Sequence, residues 1–186
     1  MAIEYSEMSS EKNRLKDALL SDKLDCPEAF ENIVTRNKAM RSIFQYIEAI
    51  ANTTLPVLIT GDTGSGKEMV ARAVHVASGS KGEFVTVNVA GLDDNLFSDT
   101  LFGHEKGAFT GADKNKRGKF EKAHGGVLFF DELGEMSPML QAKLLRAIQD
   151  GEFSPLSSEK TIRADVWIVA ATNCDLQKHI KTGKFR

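Results

Sequence analysis

The feature that most constrains this chain is a glycine-rich octet, Gly61-Asp62-Thr63-Gly64-Ser65-Gly66-Lys67-Glu68. An apolar run at 55–60 precedes it, and apolar side chains at helical spacing follow it at 70–77. Its three glycines allow the backbone to form a cradle of inward-pointing N–H groups, and a following helix adds its positive end. The octet therefore predicts a strand, a phosphate-binding loop and a helix, with Lys67 reaching the terminal phosphates. A chance glycine turn before a helix is the weaker interpretation, because both order and context agree with a phosphate loop.

Glu68 departs from the usual form of such loops, in which Ser or Thr at this position binds magnesium. Two interpretations stay open. Either Glu68 takes part in metal binding through water, or the metal depends on acids elsewhere in the chain.

Length and composition limit the chain to one sizeable core. It has 186 residues, 41% of them hydrophobic, and a formal net charge of −2, a balance that does not indicate free-standing binding to nucleic acid or membrane. The two cysteines, Cys26 and Cys174, lack metal-like spacing and suit a reducing cytosol. We therefore expect a cytoplasmic protein, with residues 1–28 as a linker helix or solvated tail and residues 29–186 as the domain.

Two acids end a strongly apolar run. The four apolar residues at 127–130 predict a strand buried on both faces, and Asp131 and Glu132 follow directly. Ligands bind at the carboxyl ends of strands in open α/β sheets, so Asp131 could hold magnesium through water. Glu132 could polarise the water that attacks the γ-phosphate of ATP. Two ordinary loop acids are the alternative.

A further buried strand, predicted at 165–171, ends in Thr172-Asn173. If this strand is a neighbour of the acid-bearing strand, Asn173 could hold the attacking water or the γ-phosphate. Taken alone, such a polar pair is more often a strand-to-loop cap. Together with a strand at 84–88, the alternation of strands and helices predicts a three-layer α-β-α P-loop NTPase core with a parallel sheet.

Apolar periodicity also predicts the inward faces of three helices, and a short hairpin is possible at 152–164. The predicted inward residues are Met40, Ile43, Ile47 and Ile50; Leu92, Leu96, Phe97 and Leu101; and Leu140, Leu144, Leu145 and Ile148.

The stretch at 103–112 is punctuated by glycines and leads into a charged run at 113–117, so it cannot be core. It nevertheless carries Phe109 at its middle. An exposed aromatic ring on such a tip loses its water contact only by touching a partner, which predicts a binding loop. A hairpin whose Phe109 folds back onto its own domain is an equally open alternative.

Three of these segments, at 61–68, 107–112 and 125–132, together resemble the bacterial enhancer-binding proteins, the AAA+ ATPases that activate sigma-54-dependent transcription. The resemblance covers roughly 30–186 and is most specific in the loop Gly107-Ala108-Phe109-Thr110-Gly111-Ala112. Glu68 also fits, because this family usually has Glu after the lysine.

The resemblance implies a role for each matching position at an ATP–Mg²⁺ site. Lys67 would bind the β- and γ-phosphates, Asp131 would help to hold magnesium, and Glu132 would activate water. Asn88 would be the partner that swings Glu132 between active and idle positions. The remaining matches are Thr172 and Asn173 as the first sensor, Ile33 and Val34 near the adenine, and Arg186 as an arginine that enters the neighbouring subunit's site.

The resemblance also implies partners and assembly. Phe109 and Thr110, with the rest of the loop at 107–112, would touch the sigma-54 factor of the RNA polymerase holoenzyme. ATP hydrolysis would remodel the closed promoter complex to the open one. The expected assembly is a homo-oligomeric ring, usually a hexamer, and DNA would be contacted only through a domain outside these residues.

The family pattern continues beyond Arg186, so the resemblance implies a core that lacks the last strand and the helical lid. We expect an open sheet edge at 57–60 and slow ATP hydrolysis by these residues alone. Two alternatives stay open: another AAA+ remodelling ATPase, and a nucleotide-gated binding module without turnover.

Overall fold

A computed structural model describes residues 23–53, 55–91 and 93–186, which form two compact units. One unit comprises the described residues up to Leu55 together with Met69–Gly79, and the other comprises Pro56–Glu68 and Ser80–Arg186. Most of the tail predicted at 1–28 lies outside the described residues, so its helix stays a prediction. Within the described ranges, no helix has the length and apolar character needed to span a bilayer.

The first unit contains a 3-10 helix, Pro27–Phe30, and the helix α1, Lys38–Ile50. Asn37 caps α1, because its side-chain oxygen accepts a hydrogen bond from the N–H of Ala39 at 2.9 Å. The rings of Phe30 and Phe44 stack with their centroids 4.3 Å apart. This pair joins the 3-10 helix to α1 within the unit.

The inward face of α1 differs from the predicted one. Ile47 is buried as predicted, but Ile43 is exposed and Phe44 takes the buried position beside it. The physical reason is the aromatic stack, because the larger ring of Phe44 removes more apolar surface from water than Ile43 would.

The helix α2, Lys67–Ala77, begins in the second unit and continues in the first. Ala71, Ala73 and Val74 are buried on it. The predicted apolar face of this helix is therefore confirmed at Ala73 and Val74.

Among its described residues the second unit contains, besides the start of α2, eight strands, four α-helices and the 3-10 helix Leu133–Glu135. The strands are β1 Val57–Thr60, β2 Phe84–Asn88, β3 Gly103–His104, β4 Lys116–Arg117, β5 Val127–Asp131, β6 Glu152–Phe153, β7 Ile162–Arg163 and β8 Trp167–Thr172. The helices are α3 Asp94–Phe102, α4 Lys119–Lys122, α5 Pro138–Asp150 and α6 Leu176–Lys181.

Four strands form one parallel sheet in the order β1-β8-β5-β2. The acid-bearing strand β5 therefore lies directly beside β8, which meets the condition set for Asn173. Leu128, Phe129 and Phe130 of β5 are fully buried, which confirms a strand covered on both faces. Because the strands are parallel, their carboxyl ends share one edge of the sheet.

Helices α3 and α5 contribute to the core of this unit through Phe97, Leu101, Leu140 and Leu144, as predicted. Leu96 and Leu145 were also predicted to point inward, and both are exposed instead. Leu92, predicted with them, lies outside the described residues.

Some of the buried positions on these two helices are polar. Ser98 and Asp99 are buried on α3, and Gln141 is buried on α5. Each finds a hydrogen-bond partner; the Gln141 amide, for example, donates to the carbonyl of Met136 at 2.8 Å. The partners offset the cost of burial, so these positions could turn inward despite being polar.

Two short hairpins complete the unit. β3 pairs with β4, and β6 pairs with β7, both antiparallel. The second pair confirms the hairpin that the sequence made possible at 152–164. The first pair frames the stretch that carries Phe109.

Candidate functional site

The glycine-rich octet forms a tight loop between β1 and α2. Gly64 and Gly66 have φ angles of 78° and 88°, in the left-handed region that favours glycine. A Cβ atom on Gly61 would lie 2.9 Å from the hydroxyl oxygen of Ser65, so a side chain there would crowd the turn. The loop is closed by a hydrogen bond from the N–H of Ser65 to the carbonyl of Asp62 at 3.2 Å.

Lys67 is buried at the base of this loop although it carries a charge. Its ammonium group donates hydrogen bonds to the carbonyls of Gly61 and Asp62, at 3.0 Å and 2.9 Å. These partners are neutral, and an ammonium group has three donors, so the positive charge stays available to an anion that enters the cradle.

The end of β8 is joined directly to the phosphate loop. The N–H of Gly61 donates to the carbonyl of Thr172 at 3.2 Å, and the side-chain amide of Asn173 donates to the hydroxyl of Thr63 at 3.0 Å. The hydroxyl of Thr172 is fully buried and accepts from the N–H of Cys174 at 3.0 Å. The structure thus brings the two predicted sensor residues to the cradle.

Asp131 and Glu132 lie at the same sheet edge, one strand further along. One carboxylate oxygen of Asp131 accepts the N–H of Glu132 at 3.0 Å. Glu132 has φ 55° and ψ 44°, a left-handed conformation that costs a residue with a side chain roughly 1 kcal/mol or more. Such strain concentrates at functional sites, and here it falls on Glu132, the residue that directly follows the buried strand β5.

Asn88 also reaches this edge, paired in register with Asp131. Its side-chain oxygen accepts the N–H of Ala90 at 2.8 Å, which makes a local turn. No hydrogen bond joins Asn88 to Glu132 among the described residues, so the predicted pairing of these two side chains stays a prediction.

Three predicted site residues lie apart from this edge or belong to the other unit. Ile33 and Val34 are part of the first unit, where Val34 is 97% exposed. The N–H of Arg186 donates to the side chain of Gln141 on α5 at 2.9 Å. Their roles at adenine and in a neighbouring subunit stay predictions.

The side chains at the sheet edge suit a nucleotide with magnesium. Among the residues that the structure describes, no group of three or more His, Cys, Asp or Glu side chains could hold a metal by itself. Mg²⁺ in such sites is usually held by one or two carboxylates, phosphate oxygens and water. Asp131, with exposed Glu68 on the first turn of α2, could supply such carboxylates, and Lys67 with the loop N–H groups could hold the phosphates.

The second candidate feature is the loop between β3 and β4. Phe109 at its tip is 48% exposed, and its ring packs edge-on against the ring of His104 in the same unit, with the centroids 4.9 Å apart. The ring thus lies partly on its own domain and partly in solvent, and its contact with a partner stays a prediction. The loop is held by its own backbone, through hydrogen bonds from Gly107 to Ala112 at 2.8 Å and from Ala112 to Phe109 at 3.0 Å. Gly107 and Gly111 supply the left-handed turns, with φ angles of 88° and 95°.

A partly buried polar cluster of Asp99, His104 and Lys116 lies beside this loop and was not predicted. His104 Nδ1 and an oxygen of Asp99 are 2.5 Å apart, and Lys116 Nζ donates to the other oxygen at 2.7 Å. Burial disfavours ionisation of Asp99, but the hydrogen bonds and charges of Lys116 and His104 outweigh it and lower the pKa of that carboxyl. Lys116 reaches the other two residues because β3 pairs with β4, a contact that local periodicity does not reveal.

Comparison with known proteins identifies the family. A family profile described as "Sigma-54 interaction domain" matches residues 33–186. The chain belongs to the sigma-54 interaction domain family. This membership disfavours the alternative of an unrelated AAA+ remodelling ATPase.

Curated relatives carry this domain as one part of a longer chain. The Nif-specific regulatory protein of Rhodobacter capsulatus is 50% identical over 161 residues, which cover 86% of this chain and 28% of that protein. The Nif-specific regulatory protein of Herbaspirillum seropedicae is 43% identical over 185 residues, which cover 98% of this chain and 34% of that protein. The transcriptional regulatory protein ZraR of Escherichia coli K12 is 48% identical over 155 residues, covering 83% and 35%. The chain spans about a third of the length of these relatives.

Solved structures confirm the fold class. NtrX from Brucella abortus, crystallised in complex with ADP, superimposes with a TM-score of 0.75 at 35% identity and covers 100% of this chain and 39% of NtrX. NtrX in complex with ATP gives a TM-score of 0.75 at 34% identity, covering 97% and 39%. The predicted three-layer α/β core with a central parallel sheet is therefore correct.

Proposed function

We propose that this sigma-54 interaction domain hydrolyses ATP and uses the energy to contact and remodel the sigma-54 form of RNA polymerase, so that a closed promoter complex becomes open. One observation carries the proposal: a half-exposed Phe109 is presented by a loop of the same compact unit that contains the phosphate cradle. A half-exposed aromatic ring at the tip of a loop built from glycine turns can lose its remaining water contact by touching a partner.

Nucleotide binding follows from the cradle. The backbone N–H groups of the octet and the start of α2 would surround the β-phosphate, and Lys67 would contact the β- and γ-phosphates. Magnesium, when bound through Asp131 and Glu68, would neutralise charge on the transferred phosphoryl group. The NtrX complexes with ADP and ATP support this proposal, because the solved domain is similar over nearly all of this chain.

AAA+ domains of sigma-54 activators are in general ATPases, and the acid pair supplies a chemical route to hydrolysis here. Glu132 would accept a proton from the water that attacks the γ-phosphate, while Asn173, already bonded to Thr63 in the cradle, would orient that water. Thr172 would hold Asn173 in place through the buried turn with Cys174.

Asn88 is the proposed switch that responds to the γ-phosphate. Its side-chain oxygen accepts the N–H of Ala90 at the end of β2, the strand that neighbours β5. When the γ-phosphate arrives, Asn88 would exchange this turn for a hydrogen bond that its side-chain Nδ2 donates to the Glu132 carboxylate. The exchange would transmit the nucleotide state from β5 and β2 to the segment that follows β2, and on to the loop at 107–112.

The remaining sites concern assembly and environment. Ile33 and Val34 would pack near the adenine, and Arg186 would enter the site of a neighbouring subunit in a ring, hexameric by resemblance to the family. Such an arginine offsets charge that develops on the phosphoryl group and can contribute roughly 10³-fold or more in rate. We place the protein in the cytoplasm, with sigma-54 as its partner and DNA contacts in another domain.

Replacing Phe109 tests the proposal. In the complete gene product, Phe109→Ala should abolish retention of sigma-54 while leaving ATP hydrolysis within about twofold, because the ring touches neither the cradle nor the acid pair. Leu145→Ala is the matched control, since Leu145 is a similarly exposed apolar residue on α5. Unchanged sigma-54 retention by Phe109→Ala would refute the assignment of the loop.

A further inference from the structure

The ring of Phe109 packs on the imidazole of His104, which forms its seat. Its centroid lies 4.9 Å from that of the His104 ring, and the two planes meet at 68°, an edge-to-face arrangement. This is the one ring contact of Phe109 among the described residues, and it leaves about half of the side chain in solvent. The orientation of Phe109 therefore depends on the orientation of His104.

His104 is in turn fixed by Asp99. His104 Nδ1 and Asp99 Oδ1 are 2.5 Å apart, and each side chain is only 10% exposed. Lys116 Nζ donates to the second carboxylate oxygen at 2.7 Å, which adds a second restraint on the orientation of Asp99. The three side chains come from α3, β3 and β4, and the reaction proposed above uses none of them.

The backbone around His104 is equally constrained. β3 and β4 pair His104 with Lys116, and a parallel bridge joins His104 to Leu156 on its other side. The N–H of Glu105 donates to the carbonyl of Leu156 at 3.2 Å, and the hydroxyl of Ser158 donates to the Glu105 carboxylate at 2.7 Å. The seat of Phe109 is thus built on a rigid base, while the tip itself is held by its own turns.

We propose that Asp99 and His104 are positioning residues for the contact with sigma-54. The carboxylate fixes the plane of the imidazole, and the imidazole holds the Phe109 ring in one orientation with its outer half open to the partner. This inference rests on the proposed function, since it assigns the orientation of the same contact residue. An aromatic anchor that is ordered before binding loses less conformational freedom when it binds.

Releasing the Phe109 ring from His104 can change sigma-54 affinity in either direction, and the direction tests the proposal. If His104 held Phe109 in a position that sigma-54 cannot reach, releasing the ring would strengthen binding. If His104 prepares the ring for binding, releasing it would weaken binding by the factor that an edge-to-face aromatic pair contributes, about three- to tenfold.

The experiment uses the complete gene product with a transition-state analogue of phosphoryl transfer bound. Asp99→Leu removes the acceptor, Asp99→Asn keeps an oxygen that can accept from His104, and His104→Phe keeps a ring but removes Nδ1. We expect a three- to tenfold loss of sigma-54 affinity for Asp99→Leu, a smaller loss for Asp99→Asn, and ATP hydrolysis within about twofold for both. If Asp99→Leu does not fold, Asp99→Asn and His104→Phe carry the comparison.

Two further measurements separate positioning from general damage. The ¹⁹F resonance of 4-fluorophenylalanine placed at position 109 should move when Asp99 or His104 is changed, because the ring leaves its seat. Asp99→Leu combined with His104→Phe should lose no more affinity than His104→Phe alone, because Asp99 acts through the imidazole. Arg117→Gln is the control, since Arg117 pairs with Glu121 on the adjoining helix α4 and leaves the seat intact.

The outcomes distinguish this inference from the proposed function. Sigma-54 affinity and a ¹⁹F resonance for Asp99→Leu and His104→Phe that match those of Arg117→Gln would overturn the positioning role, and so would tighter binding. In that event, loss of binding by Phe109→Ala would still support the proposed function. If Phe109→Ala itself bound sigma-54 normally, the proposed function would fail first.

Discussion

Glu132 combines a proposed catalytic role with a strained backbone conformation. It directly follows the buried strand β5, where we propose that it acts as the base for hydrolysis, and its backbone has a φ of 55° that a residue with a side chain adopts only at a cost. The strain is tolerated because β5 on one side and the 3-10 helix Leu133–Glu135 on the other determine the path of the chain.

Glu132→Gly should therefore stabilise the fold while it removes catalysis. We expect the free energy of unfolding to rise by about 1 kcal/mol, because glycine adopts this conformation without strain. ATP hydrolysis should fall by roughly 10²-fold or more, with nucleotide binding retained. Urea unfolding and a phosphate-release assay measure the two effects.

Ser157 provides the control for this prediction. It has a φ of 60°, so Ser157→Gly should give a similar gain in stability, and it should leave hydrolysis unchanged. Hydrolysis by Glu132→Gly at the rate of the natural sequence would show that the carboxylate is not the base, and would favour a binding module in which turnover plays no part.

Among the elements, the hairpin β3–β4 depends most on a single glycine. Gly103 has a φ of 78°, and a Cβ atom there would lie 2.2 Å from the carbonyl oxygen of Lys116. Gly103→Ala should lower the free energy of unfolding by about 2–4 kcal/mol, from backbone strain plus the clash with the partner strand. Thermal or urea unfolding measures this loss.

Gly107 separates the two contributions. Its φ is 88°, but a Cβ atom there would meet nothing within 4 Å, so Gly107→Ala should cost only about 1 kcal/mol. Equal losses for the two variants would contradict the close approach of β3 and β4.

Elements with a strong local signal could be predicted from the sequence. The phosphate loop has its glycines, and β5 has four consecutive apolar residues, so their places and the sharing of one sheet edge followed from chain order and parallel topology. Asn173 could be placed near the cradle only on the condition that β8 adjoins β5, and the observed sheet order meets that condition.

What could not be predicted depends on contacts between distant residues. Apolar periodicity predicted that Ile43, Leu96 and Leu145 point inward, and all three are exposed. On α3 and α5, polar residues with hydrogen-bond partners are buried instead, and a pattern of apolar residues does not predict them. Lys116 joins Asp99 and His104 through the β3–β4 pairing, and no local sequence pattern predicts a two-residue strand.

At the scale of the whole molecule, the proposed function requires that subunits share catalytic sites. Arg186 would act on the nucleotide of its neighbour, so Arg186→Ala and Lys67→Ala should each lose hydrolysis when studied alone. Mixing the two variants should restore part of it, because a subunit with an intact cradle can then stand beside a subunit with an intact arginine. Hydrolysis in the mixture that stays at the sum of the separate variants would contradict a shared site.

The central claim is that the nucleotide held at 61–68 governs the contact made by Phe109. The most direct test measures retention of sigma-54 by the complete gene product with a transition-state analogue of phosphoryl transfer, with ADP, and with no nucleotide. We predict retention with the analogue alone, and its loss in Lys67→Ala. Equal retention in all three conditions, or retention by Lys67→Ala, would contradict the claim.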